Sequence, residues 1–342
     1  MIRPDLNAIP DYVQGKPAAA DAVKLSSNEV TFQPLPAAAQ AMADAAAHAN
    51  RYPDMGAHEL RTALGQRLNL PVEQIAVGTG SSALCQQLVQ ITSTPDSEVI
   101  FPWRSFEAYP IFVRVVGATP VAIPLTASGH NDLEAMAAAI TERTSLIFVC
   151  NPNNPTGTTI TNDAFLKFME AVPSHVIVAL DEAYFEFSRA ADSPNAAELL
   201  DRFPNLVGLR TFSKAYGLAG VRVGYAFGPA PVISALNKVA VPFGVSSVAQ
   251  AGALASLEAR SELAARVQET IDVRDSVSDA LGAGKTQANF VWIPASEREP
   301  YSLAEAFAEH GVIVRAFPEG VRITVTNASE TSRLLEAWEA IK

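Results

Sequence analysis

The sequence predicts an α/β protein in which a large unit is built on a mainly parallel sheet and a smaller unit is α+β. Two observations carry this. Short apolar runs, "QIAVG", "EVIF", "TPVAIPL", "SLIFVC", "HVIVAL", "NLVGLR" and "RVGYAFG", alternate with helix-like segments through the middle of the chain. Strands covered on both faces by crossover helices read this way. Beyond Pro242 the alternation stops, and a long helical tract leads to "ANFVWIP", a helix around "LAEAFAEHG", then "VIVRAF" and "VRITVT". That order suits a separate α+β layer.

In chain order, a proline-punctuated arm (1–28) precedes "PLPAAAQAMADAAAHA", which is helical by propensity. Residues 29–50 and 243–342 are assigned to the small domain, and 51–242 to the large one. A chain of 342 residues, 49% hydrophobic, can bury a large core. No apolar run approaches the roughly 18 to 20 residues of a membrane span. The opening "MIRPDLNAIPDYVQGKP" lacks the apolar centre of a signal peptide, so a cytoplasmic location is expected. A net charge of -11 opposes any large nucleic-acid contact. Cys85 and Cys150 form no C-x-x-C pair and read as buried thiols. The histidines lack ligand spacing, so no metal is expected.

Ligands of open parallel sheets sit beyond the carboxyl ends of the strands, and four loops there carry unusual residues. "GTGSSAL" places Ser81 and Ser82 where a helix opens, a seat for a phosphate on backbone N–H groups. "NPNNPTG" stiffens the backbone around Asn154. "DEAY" ends an apolar strand on Asp181, a carboxylate that asks for a cationic partner. "RTFSKAYGLAGVRVGY" sets Lys214 beside Ser213, with Arg222 eight residues on. Each is ordinary turn chemistry alone. Together they fit pyridoxal phosphate, whose phosphate wants N–H groups, hydroxyls and arginine, whose ring nitrogen wants a carboxylate, and whose aldehyde wants a lysine.

With "KLSSNE", "NRYPD", "NPNNPTG", "DEAYFEF", "TFSKAYGLAGVRVGY" and "VRITV" in place, the chain resembles the fold-type I pyridoxal-phosphate aminotransferases. It is most similar to the histidinol-phosphate aminotransferase family and its aromatic amino acid branch. The resemblance implies that Lys214 bonds the aldehyde, that Ser81, Ser82, Ser213 and Arg222 hold the phosphate, and that Asp181 partners the ring nitrogen. Asn154 and Tyr184 would lie near the phenolate oxygen, Phe106 would stack on the ring with Trp103 as a neighbour, and Arg322 would grip the substrate α-carboxylate. Tyr12 and Asn28 match arm residues near the pocket. Tyr52 matches a tyrosine that reaches the phosphate of the other subunit, which implies a homodimer with shared sites.

Arg315 precedes a connection, "AFPEG", shorter than in many histidinol-phosphate enzymes. The expected reaction is transamination of phenylalanine, tyrosine or tryptophan with an oxo acid such as 2-oxoglutarate. Histidinol phosphate is the alternative substrate. Decarboxylation on the same fold is disfavoured, because Arg322 would hold the carboxylate rather than let it leave. A cofactor-free lysine aldolase would leave the phosphate loop and Asp181 without a purpose.

Overall fold

The computed structural model describes residues 2–12 and 21–342. The arm contributes β1 (Val23–Lys24), followed by α1 (Pro36–Ala46) and α2 (His58–Leu68). The large sheet and its helices then alternate: β2 (Ile75–Gly78), α3 (Ser81–Thr92), β3 (Glu98–Trp103), α4 (Tyr109–Val115), β4 (Thr119–Pro124), α5 (Leu133–Ala138), β5 (Thr144–Cys150) and α6 (Asn162–Ala171). They continue with β6 (Ile177–Asp181), α7 (Ala196–Leu199), β7 (Leu206–Thr211), β8 (Gly224–Phe227) and α8 (Ala230–Val239). All seven apolar runs form strands of one seven-stranded sheet, ordered β2-β8-β7-β6-β5-β3-β4. Only β8 is antiparallel to its neighbours, so β2, β3, β5, β6 and β7 all point their carboxyl ends to one edge.

The runs are continuous because both sheet faces are covered. One face packs Ile100, Ile147, Val149 and Leu180 against helices including α6 and α9 (Ser247–Glu258), while the other packs Val99, Phe101 and Phe148 against α3, α4 and α8. Helix starts follow their capping residues: Thr161 accepts from Ala164 N–H at α6, and Ser246 from Ala249 N–H at α9.

The expected single helical tract is two helices, α9 and α10 (Arg260–Leu281), broken where Ala259 leaves helical geometry (φ -79°, ψ 51°). Unbroken, it would run about 50 Å, too long to follow one core. The break lets α9 pack on α1 while α10 crosses between cores: Leu263 and Val267 lie with the large sheet, Val277 and Leu281 with the small unit. Leu35, which caps α1, and Ala38 within it join the large core, so this part of the tract 29–50, expected with the small unit, packs with the large sheet.

The small unit follows with β9 (Phe290–Pro294), α11 (Pro300–Glu309), β10 (Val312–Ile313), β11 (Arg315–Phe317), β12 (Gly320–Thr324) and α12 (Ala328–Ile341). "VIVRAF" is two strands because its halves pair differently: β10 lies parallel to β1, while β11 joins the antiparallel sheet β11-β12-β9. The arm thereby enters the small unit's core through Val23 and Leu25. No helix among the described residues is long and apolar enough to cross a membrane.

Candidate active site

At the carboxyl edge of the large sheet lies a cavity of about 570 Å³, walled by the arm, the strand-end loops and β11–β12. Ser81, Ser82, Phe106, Asn154, Asp181, Tyr184, Ser213, Lys214, Arg222, Arg322, Tyr12 and Asn28 all line it. Tyr52 does not; it is 83% exposed and stacks on Phe243 at 4.6 Å.

One end gathers a helix N-terminus, hydroxyls and a guanidinium. Ser81 and Ser82 open α3, whose free N–H groups and dipole point there. Arg222, in the left-handed region at φ +61°, donates through Nη1 to Ser213 Oγ at 3.3 Å and to the Ala219 carbonyl at 2.8 Å. Glycine is required on both sides of this seat. A Cβ on Gly80 would come 2.5 Å from Arg222 Nη2, and one on Gly224 would come 2.4 Å from Ser81 N.

Deeper in, Asp181 Oδ2 accepts from the Tyr109 hydroxyl at 2.7 Å, while Oδ1 is buried with no hydrogen-bond partner. Burial pushes the Asp181 carboxyl up to about 6, and the Tyr109 bond pulls the other way. An open, buried carboxylate oxygen is costly unless a cation or an N–H meets it. Tyr109 is itself fully buried, stacked on Phe148 at 4.5 Å and edge-on to Phe106 at 5.4 Å.

Lys214 reaches the cavity from the loop after β7, donating through Nζ to the Ser27 carbonyl at 3.4 Å. Burial, reinforced by the Arg322 and Arg222 charges, lowers its amine to about 8. Near neutral pH it therefore holds far more free amine than an exposed lysine, which suits a nucleophile and a proton carrier. Tyr184 OH accepts from Asn28 Nδ2 at 2.8 Å. Asn28, left-handed at φ 54°, also donates its N–H to Thr324 Oγ1 at 2.9 Å.

Arg322 projects from β12. Its Nη1 donates to Asn154 Oδ1 at 2.6 Å, its Nη2 to the Ser26 carbonyl at 2.7 Å, and its Nε is buried without a partner. Burial pushes this guanidinium below its ordinary value. Nearby stand Ile111, Phe112 and Phe317, with Arg315 and Glu107. Trp103 packs outside the cavity lining, under the Arg104 guanidinium at 4.4 Å.

Sequence reasoning missed Tyr109, Glu107, Ser26 and Ser27. A signal existed for Tyr109 alone: a buried strand-end carboxylate needs a donor, and "WRSFEAY" supplies a hydroxyl beside the stacking phenylalanine. Ser26 and Ser27 act through backbone carbonyls, which carry no residue signature.

Known proteins are similar to this chain along its whole length. An aromatic amino acid aminotransferase of Corynebacterium diphtheriae is 68% identical over 342 residues, covering 99% of each chain. One of Corynebacterium glutamicum is 64% identical over 341 residues, covering 100% of this chain and 99% of the other. The crystal structure of histidinol-phosphate aminotransferase from Sinorhizobium meliloti, in complex with pyridoxal-5'-phosphate, superposes with a TM-score of 0.89 at 26% identity, over 100% of this chain and 98% of that one. Residues 20–341 match the aminotransferases of class I and II, and with a lysine, a carboxylate and an anion seat converging at one sheet edge, the chain belongs to that family.

Proposed function

We propose that this chain is a pyridoxal-phosphate-dependent aminotransferase of aromatic amino acids and their oxo acids. The observation that carries the chemistry is the convergence of the Lys214 amine, the open Asp181 oxygen and the Ser81–Arg222 seat in one cavity. The cofactor fits: Asp181 Oδ1 awaits a protonated ring nitrogen, and Gly80 and Gly224 leave room where any Cβ would intrude. Ser81, Ser82, Ser213 and Arg222 would hold its phosphate, Asp181 its nitrogen, Asn154 and Tyr184 its phenolate side, and Phe106 its ring face.

When bound, pyridoxal phosphate supplies an electron-withdrawing ring that makes the substrate α-proton removable. The protein's part is positioning and proton handling. Arg322 would fix the α-carboxylate, and Lys214 Nζ, with its lowered proton affinity, would take the proton from the α-carbon and deliver it to a different carbon. Asp181, as a carboxylate, would keep the ring nitrogen protonated, and Tyr109 favours that form by donating to Oδ2.

For the side chain, Ile111, Phe112 and Phe317 present apolar surface where an aromatic ring can exclude water. The aromatic amino acid aminotransferases at 64% and 68% identity support the same choice. Histidinol phosphate is the second reading, favoured by the close superposition on the Sinorhizobium meliloti enzyme. The test is kcat/KM for phenylpyruvate against imidazole acetol phosphate with glutamate as donor. We expect phenylpyruvate to be preferred at least tenfold; preference for the phosphate compound overturns the substrate assignment.

We further propose a cytoplasmic homodimer whose Tyr52 serves the partner's site. Tyr52, Met55, Val241 and Phe243 form exposed apolar surface of the kind that marks an interface. Cys85 and Cys150 are buried free thiols, in keeping with a reducing compartment. The domain division proposed is a large unit that includes α1 and α9, and a small unit of β1 and β9 to α12, with α10 spanning both.

A further inference from the structure

Asn28 lies on the arm, 1% exposed, with its N–H, its carbonyl and both ends of its side-chain amide engaged. The N–H donates to Thr324 Oγ1 at 2.9 Å, and Thr324 Oγ1 donates back to Asn28 Oδ1 at 3.1 Å. The carbonyl accepts from Asn289 Nδ2 at 3.2 Å. The remaining group, Nδ2, donates to the Tyr184 hydroxyl at 2.8 Å. Thr324 decides which way the amide faces. Were it turned over, Nδ2 would meet Thr324 Oγ1, and the proton of that hydroxyl, on a residue 1% exposed, would lose its acceptor. The NH2 therefore stays toward Tyr184, whose oxygen must accept.

An oxygen that accepts from Asn28 has its own proton left to give. Phe290 stands edge-on to the Tyr184 ring at 5.1 Å. The charged and titratable groups that face Tyr184 are Arg322 from β12, Cys150 from β5, Asp181 from β6 and the Lys214 amine, 5.9 Å from the ring centre. Burial raises the Tyr184 hydroxyl above its ordinary value, so it stays protonated, and it lines the cavity. We propose that Asn28 is a positioning residue for the cofactor: by donating to the Tyr184 oxygen it reserves that hydroxyl's proton for an acceptor in the cavity, the phenolate oxygen of pyridoxal phosphate. The inference rests on the reading that puts Tyr184 on the phenolate side, and adds what keeps its hydroxyl a donor there. Such a donor stabilises the negative charge left on the phenolate when the nitrogen joining Lys214 to the cofactor loses its proton, and so lowers that nitrogen's proton affinity. The same stretch of arm meets the substrate's arginine, through the Ser26 carbonyl at 2.7 Å from Arg322 Nη2.

The test is the absorbance titration of the lysine-linked cofactor in the holoenzyme, which reads that nitrogen's proton affinity without turnover. Asn28→Asp keeps the shape but offers the Tyr184 hydroxyl an acceptor in place of a donor, turning its proton away from the cofactor. The introduced carboxylate also acts through its charge, and only that part survives in a Tyr184→Phe background. We expect Asn28→Asp to raise the midpoint by about one pH unit more beside Tyr184 than in the Tyr184→Phe background, the size of one hydrogen bond. Should this variant fail to bind cofactor, Asn28→Gly decides instead. Glycine suits the left-handed backbone at φ 54° and releases the hydroxyl rather than reversing it, so a smaller rise, again lost in Tyr184→Phe, is expected. Shifts that are equal in the two backgrounds or absent from both, with Tyr184→Phe itself raising the midpoint, overturn the role of Asn28 and leave Tyr184 on the phenolate side. A Tyr184→Phe variant with the wild-type midpoint overturns both.

Discussion

Replacing Asp181 by asparagine should make the cofactor-free protein more stable and the enzyme much worse. Asp181 is 4% exposed, and burial lifts its carboxyl from 3.8 to about 6. A folded-state value above the unfolded one favours the protonated form. Its stabilisation is full below the unfolded value and is lost as pH rises through the folded one. The shift is about two pH units, or about 3 kcal/mol lost by pH 8 at roughly 1.4 kcal/mol per unit. At pH 5 the loss is only partly developed, at about 1–2 kcal/mol.

The variant escapes this titration. Its amide oxygen can still accept from Tyr109, although its NH2 faces the position where Oδ1 had no partner, which gives back about 1–2 kcal/mol. The variant's advantage over wild type should therefore grow by about 1–2 kcal/mol between pH 5 and pH 8. Urea unfolding of both cofactor-free proteins at the two pH values, at one protein concentration, measures it. Taking the difference between proteins removes most of the contribution of Lys214, whose lowered amine costs stability as pH falls through about 8, because the Asp181 charge is the last and smallest of the causes that set that amine. An advantage that is constant or shrinks with pH would refute the claim that Asp181 is held as a costly open carboxylate.

Two further outcomes follow from the same geometry. Tyr109→Phe removes the hydroxyl on Asp181 Oδ2, so the carboxyl should rise above its present value; acid weakening of cofactor affinity, followed by absorbance titration, should begin about one pH unit higher. An unchanged onset would make Tyr109 a packing residue only. Mixing inactive Tyr52→Phe and Lys214→Ala subunits should regain activity above either parent, because one site of each hybrid dimer recovers both groups. Activity at parental level, with subunit exchange verified by mass, would place Tyr52 outside the partner's site.

What the sequence disclosed about the fold, it disclosed where burial is two-sided. All seven strands of the large sheet showed as apolar runs because helices cover both faces, so polar alternation never interrupts them. The break at Ala259 was invisible, since alanine and its neighbours Glu258 and Arg260 are all good helix formers and only packing on two cores separates α9 from α10. Within the site, residues whose chemistry is in their side chain and whose position is a strand end were legible: Asp181, Lys214 and Asn154 are examples. Arrangements that depend on distant partners were not. Tyr109 and Asp181 are 72 residues apart, and Arg315 and Glu107 are 208 apart. Local spacing holds no trace of the second pairing, and of the first it holds only the need of a buried strand-end carboxylate for a donor.

Arg322 donates to Ser26 and Thr324 bonds Asn28, each across 296 positions of chain. The anion seat at α3 and Arg222, by contrast, belongs to elements that can assemble as soon as β8 has been made. In chain order, the residues proposed to hold the cofactor are therefore all made before Arg322, which is proposed to hold the substrate. The contacts of Arg322 and Thr324 with the arm close a loop spanning most of the protein, which carries a larger entropic cost than any local contact of the anion seat. The two ends of the cavity thus differ in how they depend on the chain: the anion seat rests on neighbouring elements, whereas the Arg322 end rests on the two termini meeting.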